Sequence, residues 1–163
     1  MQVRRWRFML WGGIGVGKTT LLHALQGGRP TVKTQMVEYA GSAIDTPGEY
    51  SEMGRLTRHL LATATDAQLL VVVHDATRDT SNFSPGYFHM FNQPVIGVVT
   101  KIDAPRADPE RAELILHQIG VQEDIYRVSA VTGSGLDDLR KALEERKAIW
   151  QATTAQEAAK LSA

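Results

Sequence analysis

Near the start of the chain, Gly12 to Thr19 (GGIGVGKT) carries the spacing G-x-x-x-x-G-K-[ST], with Gly12, Gly17, Lys18 and Thr19 in the fixed places. Glycines so placed let a loop turn its backbone N–H groups toward one point without Cβ clashes, and a helix opening directly afterwards adds unpaired N–H groups of its own. The chemistry this suits is the grip of a polyphosphate. Lys18 brings a point charge for the β and γ phosphates, and the Thr19 hydroxyl stands where a Mg²⁺ ligand is needed. Gly13, Ile14, Gly15, Val16 and Thr20 complete the backbone cradle. A merely flexible glycine turn would not explain Lys-Thr-Thr at this offset.

Three later segments add complementary chemistry. Asp45-Thr46-Pro47-Gly48 fits D-x-x-G: the Asp45 carboxylate suits a Mg²⁺-bound water, and Gly48 can present its N–H to a γ-phosphate because no side chain obstructs it. Thr100-Lys101-Ile102-Asp103 fits [NT]-K-x-D. A fixed carboxylate at Asp103 accepts both N1–H and N2–H of guanine, a donor pair that adenine lacks, so the expected base is guanine. Lys101 would lay its aliphatic stem along that base. In Ser129-Ala130-Val131 the Ala130 N–H is placed for guanine O6. A TKID string or an SA dipeptide alone carries little weight; the four segments in this order carry much more.

The elements that must position these segments read as alternating strands and helices. Phe8 to Trp11 forms a strand, Thr19 to Gln26 a helix stopped by Gly27-Gly28 and Pro30, and Gln35–Ala40 with Ala43–Asp45 two short strands forming an antiparallel pair. Leu56, Leu60, Leu61 and Ala64 mark a helix over Glu49 to Ala64. Gln68 to Thr77 and Pro94 to Asp103 are apolar runs suited to central parallel strands, and Pro109 to Ile119 is an amphipathic helix closed by Gly120. Ile125 to Ser129 makes a last strand, followed by a long helix from Leu136 with Leu139, Leu143 and Trp150 on one face. Between the two apolar runs, Arg78 to Gln93 reads as a loop with one helical turn, whose Phe83, Tyr87, Phe88 and Phe91 either close it onto the sheet or form a partner patch. The fold class is α/β, with a mostly parallel central sheet and helices on both faces. Ligands of such sheets bind at the carboxyl ends of the strands, where every motif falls.

The motifs, with KTQMVEY, IDTPGEY, the HDAT to MF stretch, PVIGVVTKID and VSAVTGSGLDDL, resemble the Ras-like G domains of P-loop NTPases and, within them, the EutP/PduV family of ethanolamine- and propanediol-utilisation GTPases, over about Arg5 to Leu143. The resemblance implies Mg²⁺-dependent binding of GTP and GDP, hydrolysis of GTP and a switch role; the competing readings are a nucleotide-dependent adaptor that does not hydrolyse, motivated by Glu49, and a metabolic kinase forming an acyl phosphate, against which Asp103 argues. It also implies association with bacterial microcompartments, with a shell or enzyme partner, while a site that needs Mg-nucleotide points to the cytoplasm. It implies Thr34 as the loop threonine that ligates Mg²⁺ in the triphosphate state, with Thr31 as the competing choice, beside Thr19 and Asp45. One departure bears on the reaction. The glutamine that orients the attacking water in Ras-like enzymes is replaced by Glu49, a carboxylate that the γ-phosphate repels, so intrinsic hydrolysis is expected to be slow. A solvated first-turn helix residue is the competing reading of Glu49. Lys18, Thr34, Gly48 and Glu49 are accordingly the candidates for the reaction itself.

Composition bounds the remaining classes. Eighteen basic and eighteen acidic side chains in 163 residues give a formal charge of zero, so no global field favours nucleic acid or an anionic membrane. No apolar run approaches the roughly 20 residues of a membrane span. Without cysteine there are no disulfides or thiolate sites, and the five histidines lack metal-ligand spacing. His74 faces the nucleotide edge and is read first as a hydrogen-bonded structural residue. Residues 1–150 are expected to form the nucleotide-binding domain and 151–163 a helical extension or tail.

Overall fold

The computed structural model describes residues 5–27, 43–45 (backbone only), 61–62 and 64–162. Among them, five parallel strands form one sheet in the order β2-β1-β3-β4-β5, where β1 is Phe8–Trp11, β2 Ala43–Asp45, β3 Leu69–Asp75, β4 Val95–Thr100 and β5 Ile125–Arg127. Helix α1 spans Lys18–Leu25, α2 Pro109–Ile119 and α3 Leu136–Leu161. The antiparallel pairing expected for Gln35–Ala40 lies outside the described residues. Ala43–Asp45 runs parallel to β1, with Asp45 level with Leu10.

The unbroken apolar runs follow from burial on both faces, since alternate residues of one strand enter different cores. Phe8 and Leu10 join Val71, Val73, Ile96 and Val98 on the face covered by α1 and α3. Met9 and Trp11 join Leu70, Val72 and Val99 on the opposite face, against Ala112, Leu116 and Ile119 of α2. Strands gripped from both sides hold their ends rigidly, and those ends carry the loops of interest.

Local signals set the helix limits. Helix α2 starts where the Asp108 carboxylate accepts a 3.0 Å hydrogen bond from the Arg111 N–H, with Pro109 in the first turn, and stops at Gly120 in the left-handed region (φ 117°). Helix α3 continues without interruption past Trp150 to Leu161; Leu136, Leu139, Ala142 and Leu143 are buried, and beyond Trp150 the helix is exposed apart from the half-buried Thr154. Arg140 joins α3 to α1 by donating to the carbonyls of Ala24 (2.7 Å) and Leu25 (3.0 Å) in the last turn of α1, where a cation suits the helix dipole.

The loop between β3 and β4 contains a 3-10 turn, Tyr87–Met90, where one helical turn was expected. Its aromatics close onto the sheet. Phe88 meets Trp11 edge-on with centroids 5.6 Å apart, and Phe83, Tyr87 and Phe91 pack around the same indole at 5.5 to 6.3 Å. Phe88 is 1% exposed, so the cluster belongs to the core. Phe88→Ala is expected to cost about 3–5 kcal/mol of stability; a denaturation midpoint close to wild type would return the cluster to the surface.

Candidate functional site

Strand β1 lies between β2 and β3, and the connections that leave β1 and β3 pack on opposite faces of the sheet, α1 on one and the Phe88 segment on the other. A crevice opens at the carboxyl end of the strand where the order reverses, and the Gly12–Thr19 loop occupies that point. Gly12 admits no side chain, because a Cβ there would lie 2.7 Å from both the Val73 carbonyl oxygen and a Val16 methyl. Gly15 (φ 73°) and Gly17 (φ 96°) take left-handed backbone, and Gly17 caps α1.

Each carbonyl from Gly12 to Val16 accepts a side-chain hydrogen bond. Lys18 Nζ donates to Gly12 (2.7 Å) and Gly13 (3.3 Å), and Arg78 Nη2 to Ile14. Lys101 Nζ donates to Gly15 at 2.8 Å and Thr100 Oγ1 to Val16 at 2.6 Å. Three of the donors are cations, which gives the loop the charge a polyphosphate requires. Lys18 is buried, while Thr19 and Thr20 are exposed at the mouth of α1.

The loop after β4 brings the second motif alongside. Thr100 is buried and braces the phosphate loop, also lying 3.4 Å from the His74 carbonyl; Lys101 follows with φ 59°. Asp103 is exposed, and its Oδ1 accepts a 2.7 Å hydrogen bond from Ser129 Oγ after β5. Ser129 is fully buried and its Oγ accepts from the Thr132 N–H at 3.0 Å. The serine thus orients Asp103, and Ala130, half-buried, and Val131, 84% exposed, border the same edge. Asp45 ends β2 beside Leu10. Thr31, Thr34, Gly48 and Glu49 lie outside the described residues.

A Mg²⁺ ion prefers hard oxygen donors. Thr19 and Asp45 supply that donor type, and the ends of β2 and β1 lie side by side in the sheet. The donor set fits the ion. Among the described residues no cluster of three His, Cys, Asp or Glu offers an alternative metal site.

Sequence reasoning passed over Asp75 and Arg78. Asp75 ends β3, 2% exposed, with Thr100 as its Cα partner across the sheet. Its Oδ1 accepts from the Thr77 N–H (2.8 Å) and hydroxyl (2.7 Å), and its Oδ2 from Lys101 Nζ at 2.7 Å. The Arg78 Nε is 3.8 Å from the same Oδ2. Asp-Ala-Thr signals a local turn, but nothing in the string says which lysine will meet the carboxylate. His74 is buried, with Nε2 and the Arg78 carbonyl 3.3 Å apart, and burial lowers its pKa against the opposing pull of that carbonyl and of Asp75.

Residues 5–145 match the family model for ethanolamine utilisation and propanediol utilisation, PduV-EutP. The chain belongs to the PduV–EutP family. It is 39% identical over 137 residues to the propanediol utilization protein PduV of Citrobacter freundii, covering 82% of this chain and 89% of that protein. It is 35% identical over 127 residues to the "Probable acetate kinase EutP" of Escherichia coli K12, covering 76% of this chain and 80% of that one. GTPase Era of Afipia carboxidovorans is 30% identical over 157 residues, 82% of this chain and 51% of Era. Among solved structures, the cytosolic domain of the T. maritima FeoB iron transporter in its GMPPNP form superposes with TM-score 0.57 at 23% identity, and bacterial elongation factor EF-Sec with 0.59 at 24%. These cover 87% and 88% of this chain, which spans 63% and 28% of theirs; they show the P-loop GTPase fold. In this PduV–EutP member no described helix is long and apolar enough to cross a membrane.

Burial alone would raise the Asp75 pKa, but hydrogen bonds from Lys101 and Thr77 and the Lys101 charge outweigh it and hold the carboxyl below its usual 3.8. Such a group binds its proton more weakly folded than unfolded. Its stabilisation is therefore complete above pH 3.8 and lost as pH falls through the depressed folded value. Glu113, lowered by its hydrogen bond from Arg127, shares that acid limb. A thermal midpoint followed into acid is expected to fall there, less steeply in Asp75→Asn; equal slopes would contradict the assignment.

Proposed function

We propose that the chain is a Mg²⁺-dependent GTP-binding protein that hydrolyses GTP slowly to GDP and acts as a switch in ethanolamine or propanediol utilisation, linked to bacterial microcompartments. The observation that carries this reading is the convergence at one sheet edge of the phosphate loop and Asp103, the latter aligned by the buried Ser129. In it Gly12 to Thr20 surround the phosphates, and Lys18 Nζ reaches from the Gly12 and Gly13 carbonyls toward the β and γ phosphates. Asp103 accepts guanine N1–H and N2–H, the Lys101 stem lies along the base, and the Ala130 N–H meets O6. Ser129, Val131 and Thr100 hold these groups in place.

Thr19, Asp45 and Thr34 would hold Mg²⁺, which when bound neutralises charge between the β and γ phosphates. Gly48 offers its N–H to the γ-phosphate, and Glu49, in the water-orienting place, keeps turnover slow. Residues 1–150 serve as the nucleotide-binding unit in the cytoplasm, and 151–163, which include the largely exposed end of α3 up to Leu161, as a helical extension available to a shell or enzyme partner.

Displacement of a fluorescent GDP analogue in the presence of Mg²⁺ tests the base assignment. GDP is expected to compete far better than ATP. Asp103→Asn should turn the preference toward xanthosine diphosphate, whose 2-oxo group accepts where guanine donates. Equal competition by ATP, with no change in the variant, would sink the guanine reading.

The name of the Escherichia coli relative favours a second reading, transfer of the γ-phosphoryl group to acetate. There an acetate oxygen forms the new O–P bond as the bond to the β–γ bridging oxygen breaks, releasing the nucleoside diphosphate and acetyl phosphate. Purified protein given acetate with ATP or GTP is expected to form no acetyl phosphate above the level without protein. Stoichiometric acetyl phosphate would put the kinase first.

A further inference from the structure

The carbonyls of the phosphate loop are held by donors that must themselves be held. Lys101 and Arg78 reach Gly15 and Ile14 from different loops, one after β4 and one after β3, and between them lies a buried carboxylate. We propose that Asp75 is a positioning residue of the nucleotide site: it fixes Lys101 and Arg78 so that the base-reading loop and the phosphate loop grip a guanine nucleotide as one unit. The proposal rests on the guanine-nucleotide reading above and adds to it the residue that joins its two halves.

Both oxygens of the carboxylate are engaged. Oδ1 takes both Thr77 donors, and Oδ2 takes the Lys101 ammonium with the Arg78 guanidinium beside it. Lys101 is the single non-glycine residue with positive φ among the described residues, at 59°. That conformation is disfavoured for a side-chain-bearing residue and persists only where the surroundings determine it. Here the Asp75 and Gly15 oxygens, at 2.7 and 2.8 Å, fix the ammonium, while the next N–H, of Ile102, donates to the Val128 carbonyl at 3.4 Å. The Asp75 Cα pairs with Thr100, so the carboxylate approaches Lys101 from a strand buried on both faces.

A carboxylate accepts on both oxygens, whereas an amide accepts on one and donates from the other. Asp75→Asn can therefore accept from the Thr77 N–H or from the Lys101 ammonium but not from both. With Lys101 or Arg78 unanchored, the Gly15 and Ile14 carbonyls lose their fixed donors, and the bound nucleotide should escape faster.

The test is the dissociation rate of a fluorescent GDP analogue, chased by excess GDP, from wild type, Asp75→Asn, Arg78→Met and the double variant. The loss of a charge-assisted hydrogen bond predicts release about 10- to 100-fold faster in Asp75→Asn. Preference for GDP over xanthosine diphosphate should be unchanged, because Asp103 is untouched. Arg78→Met alone should also speed release, and the double variant should be slower than the product of the two single effects. The dissociation rate counts only folded, loaded molecules, so a smaller folded fraction would not move it, and an unfolding rate measured alongside separates release from unfolding. Asp75→Asn release within twofold of wild type, or strictly multiplicative effects, would overturn the proposal. Should Asp75→Asn not fold, Arg78→Met and Lys101→Met decide: release at the wild-type rate in both overturns it. A wild type that never retains the GDP analogue would instead overturn the guanine reading itself.

Discussion

Everything at the candidate site depends on how the carbonyls of one short loop are restrained. A peptide unit cannot turn its N–H without turning the C=O at its other end, so a loop that is to offer donors to an anion must have its carbonyls held elsewhere. Here those from Gly12 to Val16 are held by Lys18, Arg78, Lys101 and Thr100. Lys18 belongs to the loop's own helix; the others arrive from the ends of β3 and β4. The phosphate grip is therefore a property of three chain segments, made rigid by strands buried on both faces.

That rigidity has its source in ordinary packing. The two cores divide β1, β3 and β4 by alternation, and each helix covers its share. The aromatic cluster around Trp11 shows the same logic at a less regular segment. Without a helical period, the stretch between β3 and β4 folds back by seating Phe83, Tyr87, Phe88 and Phe91 on one indole. This closure leads the chain from Arg78, beside the phosphate loop, back to the start of β4.

One relative in the PduV–EutP family is named a propanediol utilization protein and another a probable acetate kinase, and only the second name implies a phosphoryl acceptor. The fold is compatible with both, because a P-loop holds the donor nucleotide and leaves the acceptor to other residues. Base choice is a separate question: in the proposed reading it would rest on the carboxylate of Asp103, which accepts a hydrogen bond from the Ser129 hydroxyl.

By itself the sequence determined the elements whose signals are local: the glycine loop, the capped helix from Pro109 to Ile119, the paired-face burial of the two long apolar runs, and the order of motifs along one sheet edge. Its family resemblance was legible for the same reason, since fixed spacings survive in a linear string. Only the tertiary structure decided what depends on register between distant segments. The pairing of Asp75 with Thr100 sets that carboxylate against Lys101; Arg78 reaches Ile14 across 64 positions of sequence; and Ser129 turns out to orient Asp103. The sequence left the aromatics between core and partner patch, because exposure of a loop side chain is a matter of what it folds onto. A hydrogen bond between residues far apart leaves no periodic trace, and a buried carboxylate and a solvated one are the same letter until a strand brings the cation beside it.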